Sequence, residues 1–180
     1  MCHITVPLSS GSLAMEIVEI NQVITVIQNS NPLGGIRVYV FDENNRYLGI
    51  NGLTDENGQI TFGLPQNQAY KFRADILGTQ FFSDITPNTG EAISIDSQGG
   101  TLTFTVNKGE NLALANVNAY LFSESGTYLG KSGTTDASGN TTFNVPTGNY
   151  KIRCDYLGYP FWTPVVQVAT DQSTNLVIPH

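Results

Sequence analysis

At 180 residues and 19.5 kDa the chain has room for one large or two small domains. Charged residues make up only 13% of it, so its polar surface comes largely from Asn, Gln, Ser and Thr, a texture common in secreted surface proteins. A formal net charge of -7 repels phosphate backbones and argues against nucleic-acid binding.

No apolar run approaches the roughly 18 residues of a membrane span. The first Lys or Arg is Arg37, so the basic region that opens a signal peptide is missing. The expectation is a chain that has lost its leader or is a fragment of a longer one. Cys2 and Cys154 fall at unrelated places, which leaves no disulfide framework.

Residues 1–15 carry no charge after Met1 apart from His3, and they hold Ile4-Thr5-Val6 and Leu13-Ala14-Met15. Their plain reading is a tail with no fold of its own. Their functional reading is a donor strand, with Ile4 and Val6 completing a neighbouring subunit's sheet. From there on, short β-rich runs recur every 8–12 residues between turn residues, and helical periodicity is absent. Strands are expected near 17–28, 36–42, 46–51, 59–63, 69–76, 80–86 and 91–95. Asn44-Asn45 and Glu56-Asn57-Gly58 form turns, and Asn57-Gly58 suits positive φ. Tyr70, Phe72 and Ala74 alternate with Lys71, Arg73 and Asp75, one set facing a core and the other facing solvent.

The second half repeats the first. Ile36-Arg-Val-Tyr-Val-Phe41 returns as Val117-Asn-Ala-Tyr-Leu-Phe122, and Tyr47-Leu48-Gly49 returns as Tyr128-Leu129-Gly130. Thr54-Asp55 with Gly58 returns as Thr135-Asp136 with Gly139. Tyr70-Lys71, Arg73, Asp75, Leu77-Gly78 and Phe81 return as Tyr150-Lys151, Arg153, Asp155, Leu157-Gly158 and Phe161. Twenty of the positions between 36 and 83 are identical, far beyond chance. A period of this length suits a complete small domain and not a solenoid repeat. The expected organisation is an N-terminal extension over 1–15, a first module over 16–96 and a second over 97–180, with Ser97-Gln98-Gly99-Gly100 as the linker. The expected fold is all-β: two tandem antiparallel seven-stranded Greek-key β-sandwiches.

The order of elements from Gly35 to Tyr70 resembles the carboxypeptidase regulatory-like and collagen-adhesin B-type repeats. The residues that carry the likeness are Gly35-Ile36-Arg37-Val38, Thr54-Asp55-Glu56-Asn57-Gly58, Ile60-Thr61-Phe62, Leu64-Pro65 and Tyr70-Lys71-Phe72. The second copy has Thr135-Asp136-Ala137-Ser138-Gly139, Thr142-Phe143, Val145-Pro146 and Tyr150-Lys151-Ile152. The resemblance implies a transthyretin-like (prealbumin-like, Ig-like) sandwich and a role as spacer, stalk, adhesin segment or enzyme appendage. Many collagen-adhesin modules carry a Lys-based isopeptide bond on the first strand. Residues 17–27 hold no Lys, and Lys108 lies past the apolar part of its strand, so that bond is not expected here.

Asp55, Gly58, Asp136 and Gly139 read as turn-capping positions, each Asp accepting backbone N–H groups of its own turn. Asp42, Glu43, Asn44, Asp55, Glu56 and Asn57 gather hard oxygen ligands, which makes calcium conceivable in the first module. The second module replaces several of them with Ser123, Ser125, Ala137 and Ser138, which argues against a shared site. Tyr39, Phe41, Tyr120 and Phe122 break the alternation of their strand by placing aromatics on its outer face. A bulge or covering loops would account for this, and so would an assembly interface with a neighbouring module or subunit. Tyr156, Tyr159 and Trp162, with Phe161, are candidate glycan contacts, against the plainer reading of a core strand plus an interface. Cys154 reads as a small buried hydrophobe.

His3 and His180 stand at the termini, so neither a Ser-His-Asp triad nor a His-based metal site can assemble inside a module. No enzyme is expected. The functional expectation is an extracellular, self-associating structural protein of a filament, stalk or surface layer, built by strand donation. The alternative is a glycan-binding adhesin module of a larger secreted protein.

Overall fold

Alternating Val, Ile, Thr, Phe and Tyr between Gly- and Asn-rich turns leaves the backbone little choice but extended strands with one apolar face. In the computed structural model, which describes residues 17–109 and 112–179, this pattern yields strands throughout and no helix among the described residues. The first half contains β1 (Glu19–Gln28), β2 (Asn31–Pro32), β3 (Arg37–Asp42), β4 (Tyr47–Leu53), β5 (Gln59–Pro65), β6 (Ala69–Ile76), β7 (Thr79–Phe82), β8 (Thr86–Pro87) and β9 (Ile93–Asp96). The second contains β10 (Gly100–Lys108), β11 (Leu112–Ala113), β12 (Asn118–Ser123), β13 (Tyr128–Thr134), β14 (Asn140–Val145), β15 (Gly148–Tyr156), β16 (Tyr159–Trp162), β17 (Val166–Val168) and β18 (Gln172–Ile178).

Each half folds as a sandwich with the same strand order. One sheet runs β2-β1-β5 with β9 on β1, and it faces a sheet β4-β3-β6-β7 with β8 on β6. The second half repeats this as β11-β10-β14 with β18, facing β13-β12-β15-β16 with β17. Registers agree as well: Val38 lies opposite Ala74, and Ala119 lies opposite Cys154. The fold is all-β and sandwich-like, with one departure from purely antiparallel pairing in each half. The last strand runs parallel to the first, Ile24 opposite Ile93 and Leu102 opposite Gln172. The strand expected over 80–86 stops at Phe82, where the buried Ser83 hydroxyl accepts the Phe72 N–H at 3.0 Å and turns the chain away.

Two separate cores result. Ile24, Val26, Val38, Val40, Phe72 and Ala74 are fully buried in the first, and Leu102, Phe104, Val106, Leu121, Ile152 and Cys154 in the second. Cys154 takes the place that Ala74 holds in the first sandwich. Burial in this apolar setting, with Asp155 beside it, pushes its thiol up to about 11, so it is protonated and unreactive at neutral pH.

Candidate functional site

The turn residues do their work locally. The Asp55 carboxylate accepts the N–H of Asn57 at 2.9 Å and that of Gln59 at 2.8 Å. Asp136 accepts the N–H of Ser138 at 2.8 Å and that of Asn140 at 2.9 Å. Gly58 and Gly139 close these turns at φ of 71° and 77°. The residue before each Asp carries the other half of the device. The Thr54 hydroxyl accepts the Ile36 N–H and donates to the Leu33 carbonyl, and Thr135 repeats this with Val117 and Leu114. Buried threonines thus tie the turn to the opposite loop, a role that the repeated Thr-Asp pair signals without spelling out. Asp42 is likewise engaged in its own turn, accepting the N–H of Asn44 and of Arg46. Among the described residues no group of three His, Cys, Asp or Glu side chains converges as a metal site. Replacing Asp55 or Asp136 with Ala is expected to cost about 1 kcal/mol of stability, as for a lost local cap. A chelator should leave the melting temperature unchanged, and a large drop on chelation would instead assign calcium to this turn.

The outer aromatics are covered in part by their own sandwich. Tyr39, Phe41 and Tyr120 are half-buried and Phe122 is buried, while Tyr47, Phe82, Tyr128 and Trp162 on the same outer faces stay exposed. Two things cover the first four. A register shift opposite Val40 and Leu121, with Gly49 and Gly130 at positive φ, swings Tyr47 and Tyr128 over the ring pairs. Arg73 then lays its guanidinium over Tyr39 at 4.3 Å and Phe41 at 5.4 Å, pinned from the side by Asp75 at 2.9 Å. Arg153 does the same over Tyr120 and Phe122, held by Asp155 at 3.0 Å.

The candidate glycan aromatics do not form one platform. Alternation along β15 and β16 sends Tyr156 and Phe161 against the core, and Trp162 joins the outer ladder by packing edge-on against Phe122 at 4.7 Å. Tyr159 is left alone, 69% exposed. Ile4 and Val6 lie outside the described residues.

At the junction between the sandwiches the sequence shows only a short linker, and the structure adds a set of contacts. Gln28, at the end of β1, donates from its side chain to the Val145 carbonyl at 2.6 Å, and Asn29 donates to the Gly99 carbonyl at 2.9 Å. Asp96 accepts the N–H of Gln98, and Asp171 accepts that of Thr101. Gly99 has φ of 102°, and a Cβ there would lie 2.2 Å from the Val145 carbonyl oxygen, so only glycine fits. Leu77, at the tip of the β6–β7 hairpin, packs against both cores. The linker is thus hydrogen-bonded and packed, and the two sandwiches meet end to end.

The fold and this junction define an all-β protein of two sandwiches joined in line. No family model matches the sequence, and no curated protein matches it. Solved structures do show likeness. The Bacillus anthracis TIE protein aligns at 21% identity with a TM-score of 0.36 over 89% of this chain, and the chain spans only 34% of that protein's length. The minor pilin of Streptococcus agalactiae aligns at 14% identity with a TM-score of 0.46, over 88% of this chain and 95% of that one. The shaft pilin of Lactobacillus rhamnosus GG aligns at 13% identity with a TM-score of 0.43, over 90% and 98%.

Proposed function

We propose that the chain is a non-catalytic structural protein of the cell surface or extracellular space, a stiff two-sandwich subunit of a filament, stalk or surface layer. The observation that carries this reading is the junction. A flexible spacer needs only a few free residues, whereas here Asn29 and Asp96 bond linker backbone at Gly99 and Gln98, Gln28 bonds the Val145 carbonyl at the end of β14, and Leu77 bridges the two cores. Stiffness along one axis is the property a stalk or filament subunit needs. The modules are assigned to 16–96 and 97–180, two units of the carboxypeptidase regulatory-like or collagen-adhesin B type, each with its own core.

Strand donation is the finer part of the proposal. β5 and β14 lie at the outer edges of their sheets, and such edges are templates for another strand. Residues 1–15, with Ile4 and Val6, precede β1 at the free end of the first sandwich and would supply that strand to a neighbouring copy. The test compares the full chain with one lacking residues 1–15 by light scattering and negative-stain microscopy. The full chain should polymerise, and the truncated chain should keep its β-sheet circular dichroism while remaining small. A full chain that stays monomeric at high concentration and binds glycans would replace this reading with an adhesin module.

A further inference from the structure

Each sandwich ends in the same hairpin tip, yet the two tips have opposite fates. Leu77-Gly78 and Leu157-Gly158 are identical pairs, both in the left-handed region, with φ of 47° and 78° in the first and 50° and 83° in the second. Leu77 is packed against both cores, and a Cβ on Gly78 would sit 3.4 Å from the side chain of Leu129. The first tip is therefore a knob pressed onto the start of β13. Leu157 is 76% exposed, and a Cβ on Gly158 would meet nothing within 4 Å. Among the described residues it is the same knob with no socket.

The socket is repeated as well. Leu129 belongs to Tyr128-Leu129-Gly130, and the identical Tyr47-Leu48-Gly49 stands at the free end of the first sandwich. The shared register shift and the positive φ of Gly49 and Gly130 give the two sites the same local backbone. Among the described residues, one end of the molecule thus presents a knob without a socket and the other a socket without a knob, in the relation that the internal junction already satisfies.

The polar contact beside the knob changes in a way that suits separate chains. Gln28, which donates to the Val145 carbonyl, is replaced in the second sandwich by Lys108, since Gln28 pairs with Asn31 as Lys108 pairs with Leu112. The counterpart of Val145 is Leu64, and on the neighbouring strand Glu19 lies opposite Pro65, where the second sandwich has uncharged glycine. The positions that make a neutral contact within the chain thus carry Lys108 at one end of the molecule and Glu19 at the other, charges of opposite sign. Exposed apolar side chains accompany both ends, Leu112 and Val177 with the knob and Ile17 and Val18 with the socket.

We propose that a second copy of this chain docks head to tail, the Leu157-Gly158 tip of one copy seated on Leu48 of the next and Lys108 of the first against Glu19 of the second. The contact is heterologous, so it propagates a filament instead of closing a dimer. It rests on the reading of the chain as a polymer subunit and names the interface that would build it.

Sedimentation velocity of the full chain over a concentration series tests this. The unaltered chain should form elongated species whose size grows with concentration and shrinks with added salt. Leu157→Asp, at a solvent-exposed position that should leave melting unchanged, should weaken association on the order of tenfold or more. Lys108→Glu should weaken it too, and pairing that change with Glu19→Lys should restore it. If the unaltered chain polymerises and Leu157→Asp polymerises equally well, this docking mode is overturned while the structural-subunit reading stands. If the charge-reversed pair is no better than Lys108→Glu alone, the Lys108–Glu19 contact is overturned. An unaltered chain that stays monomeric throughout overturns the docking and the polymer reading together.

Discussion

Replacing Gly58 with Ala should split thermal unfolding into two transitions, with the first sandwich melting well below the second. Gly58 sits at φ of 71°, where a Cβ would lie 2.5 Å from the Val26 carbonyl oxygen and 2.9 Å from the Leu33 nitrogen. Both are backbone atoms held in hydrogen bonds, the Leu33 N–H to the Val26 carbonyl at 2.9 Å, and neither can swing aside as a flexible side chain would. The left-handed backbone costs about 1–2 kcal/mol for a residue with a Cβ, and forcing a methyl group against fixed atoms adds about 1–3 kcal/mol. A sum of about 2–5 kcal/mol in a domain of this size corresponds to a fall of roughly 10–25 °C. Because the two cores share little beyond Leu77, the second sandwich should keep its own melting temperature. Gly139→Ala, whose Cβ would lie 2.5 Å from the Val106 carbonyl oxygen, should reverse the order of melting. Gly49→Ala is the control: its φ is 78° but a Cβ there meets nothing within 4 Å, so only the backbone term of about 1 kcal/mol is expected. Calorimetry reads all three. A single, unshifted transition for Gly58→Ala would defeat the account.

Much of the sandwich is legible in the sequence because local chemistry and the global fold agree there. The alternation of Tyr70, Phe72 and Ala74 against Lys71, Arg73 and Asp75 needs only the period of a strand, and the repeat supplies an independent second instance of it. The hidden features depend on which strands become neighbours. Arg73 reads as a solvated residue because its own strand says so. It lies across from Tyr39 in the ladder, and only that pairing turns an exposed charge into a lid over two rings. Likewise Tyr156 to Trp162 is a cluster in sequence but is divided between two faces of a sheet in space. The parallel pairing of β9 with β1 leaves no local mark, since a parallel and an antiparallel edge strand share the same composition. The junction is the sharpest case. Leu77-Gly78 and Leu157-Gly158 are the same dipeptide in the same hairpin, one packed and one bare. The difference lies in what packs against the hairpin, which the dipeptide itself does not record.

Arg153→Ala should destabilise the second sandwich by about 2 kcal/mol and alter the emission of Trp162, the single tryptophan. The Arg153 guanidinium lies 4.9 Å from the Tyr120 ring centre, 5.5 Å from that of Phe122 and 6.0 Å from that of Trp162. It also pairs with Asp155 at 3.0 Å and donates to the same carboxylate from its terminal nitrogen at 3.1 Å. Three rings on the outer face of β12 and β16 therefore share one cation, which shields apolar surface that Trp162, at 43% exposure, only partly covers. Removing the side chain uncovers those rings and leaves Asp155 without its partner. The ion pair is half-exposed and adds little by itself, so most of the loss should come from the stacked rings. Lysine is the informative comparison. It keeps the charge but lacks the flat, delocalised group that spreads over several rings at once, so Arg153→Lys should recover less than half of the lost stability. Urea titrations followed by Trp162 fluorescence measure both effects together, with a red-shifted native emission expected for Arg153→Ala. Full rescue by lysine would reassign Arg153 to simple charge pairing with Asp155, and an unchanged midpoint for Arg153→Ala would mean that the outer aromatic face holds itself together without it.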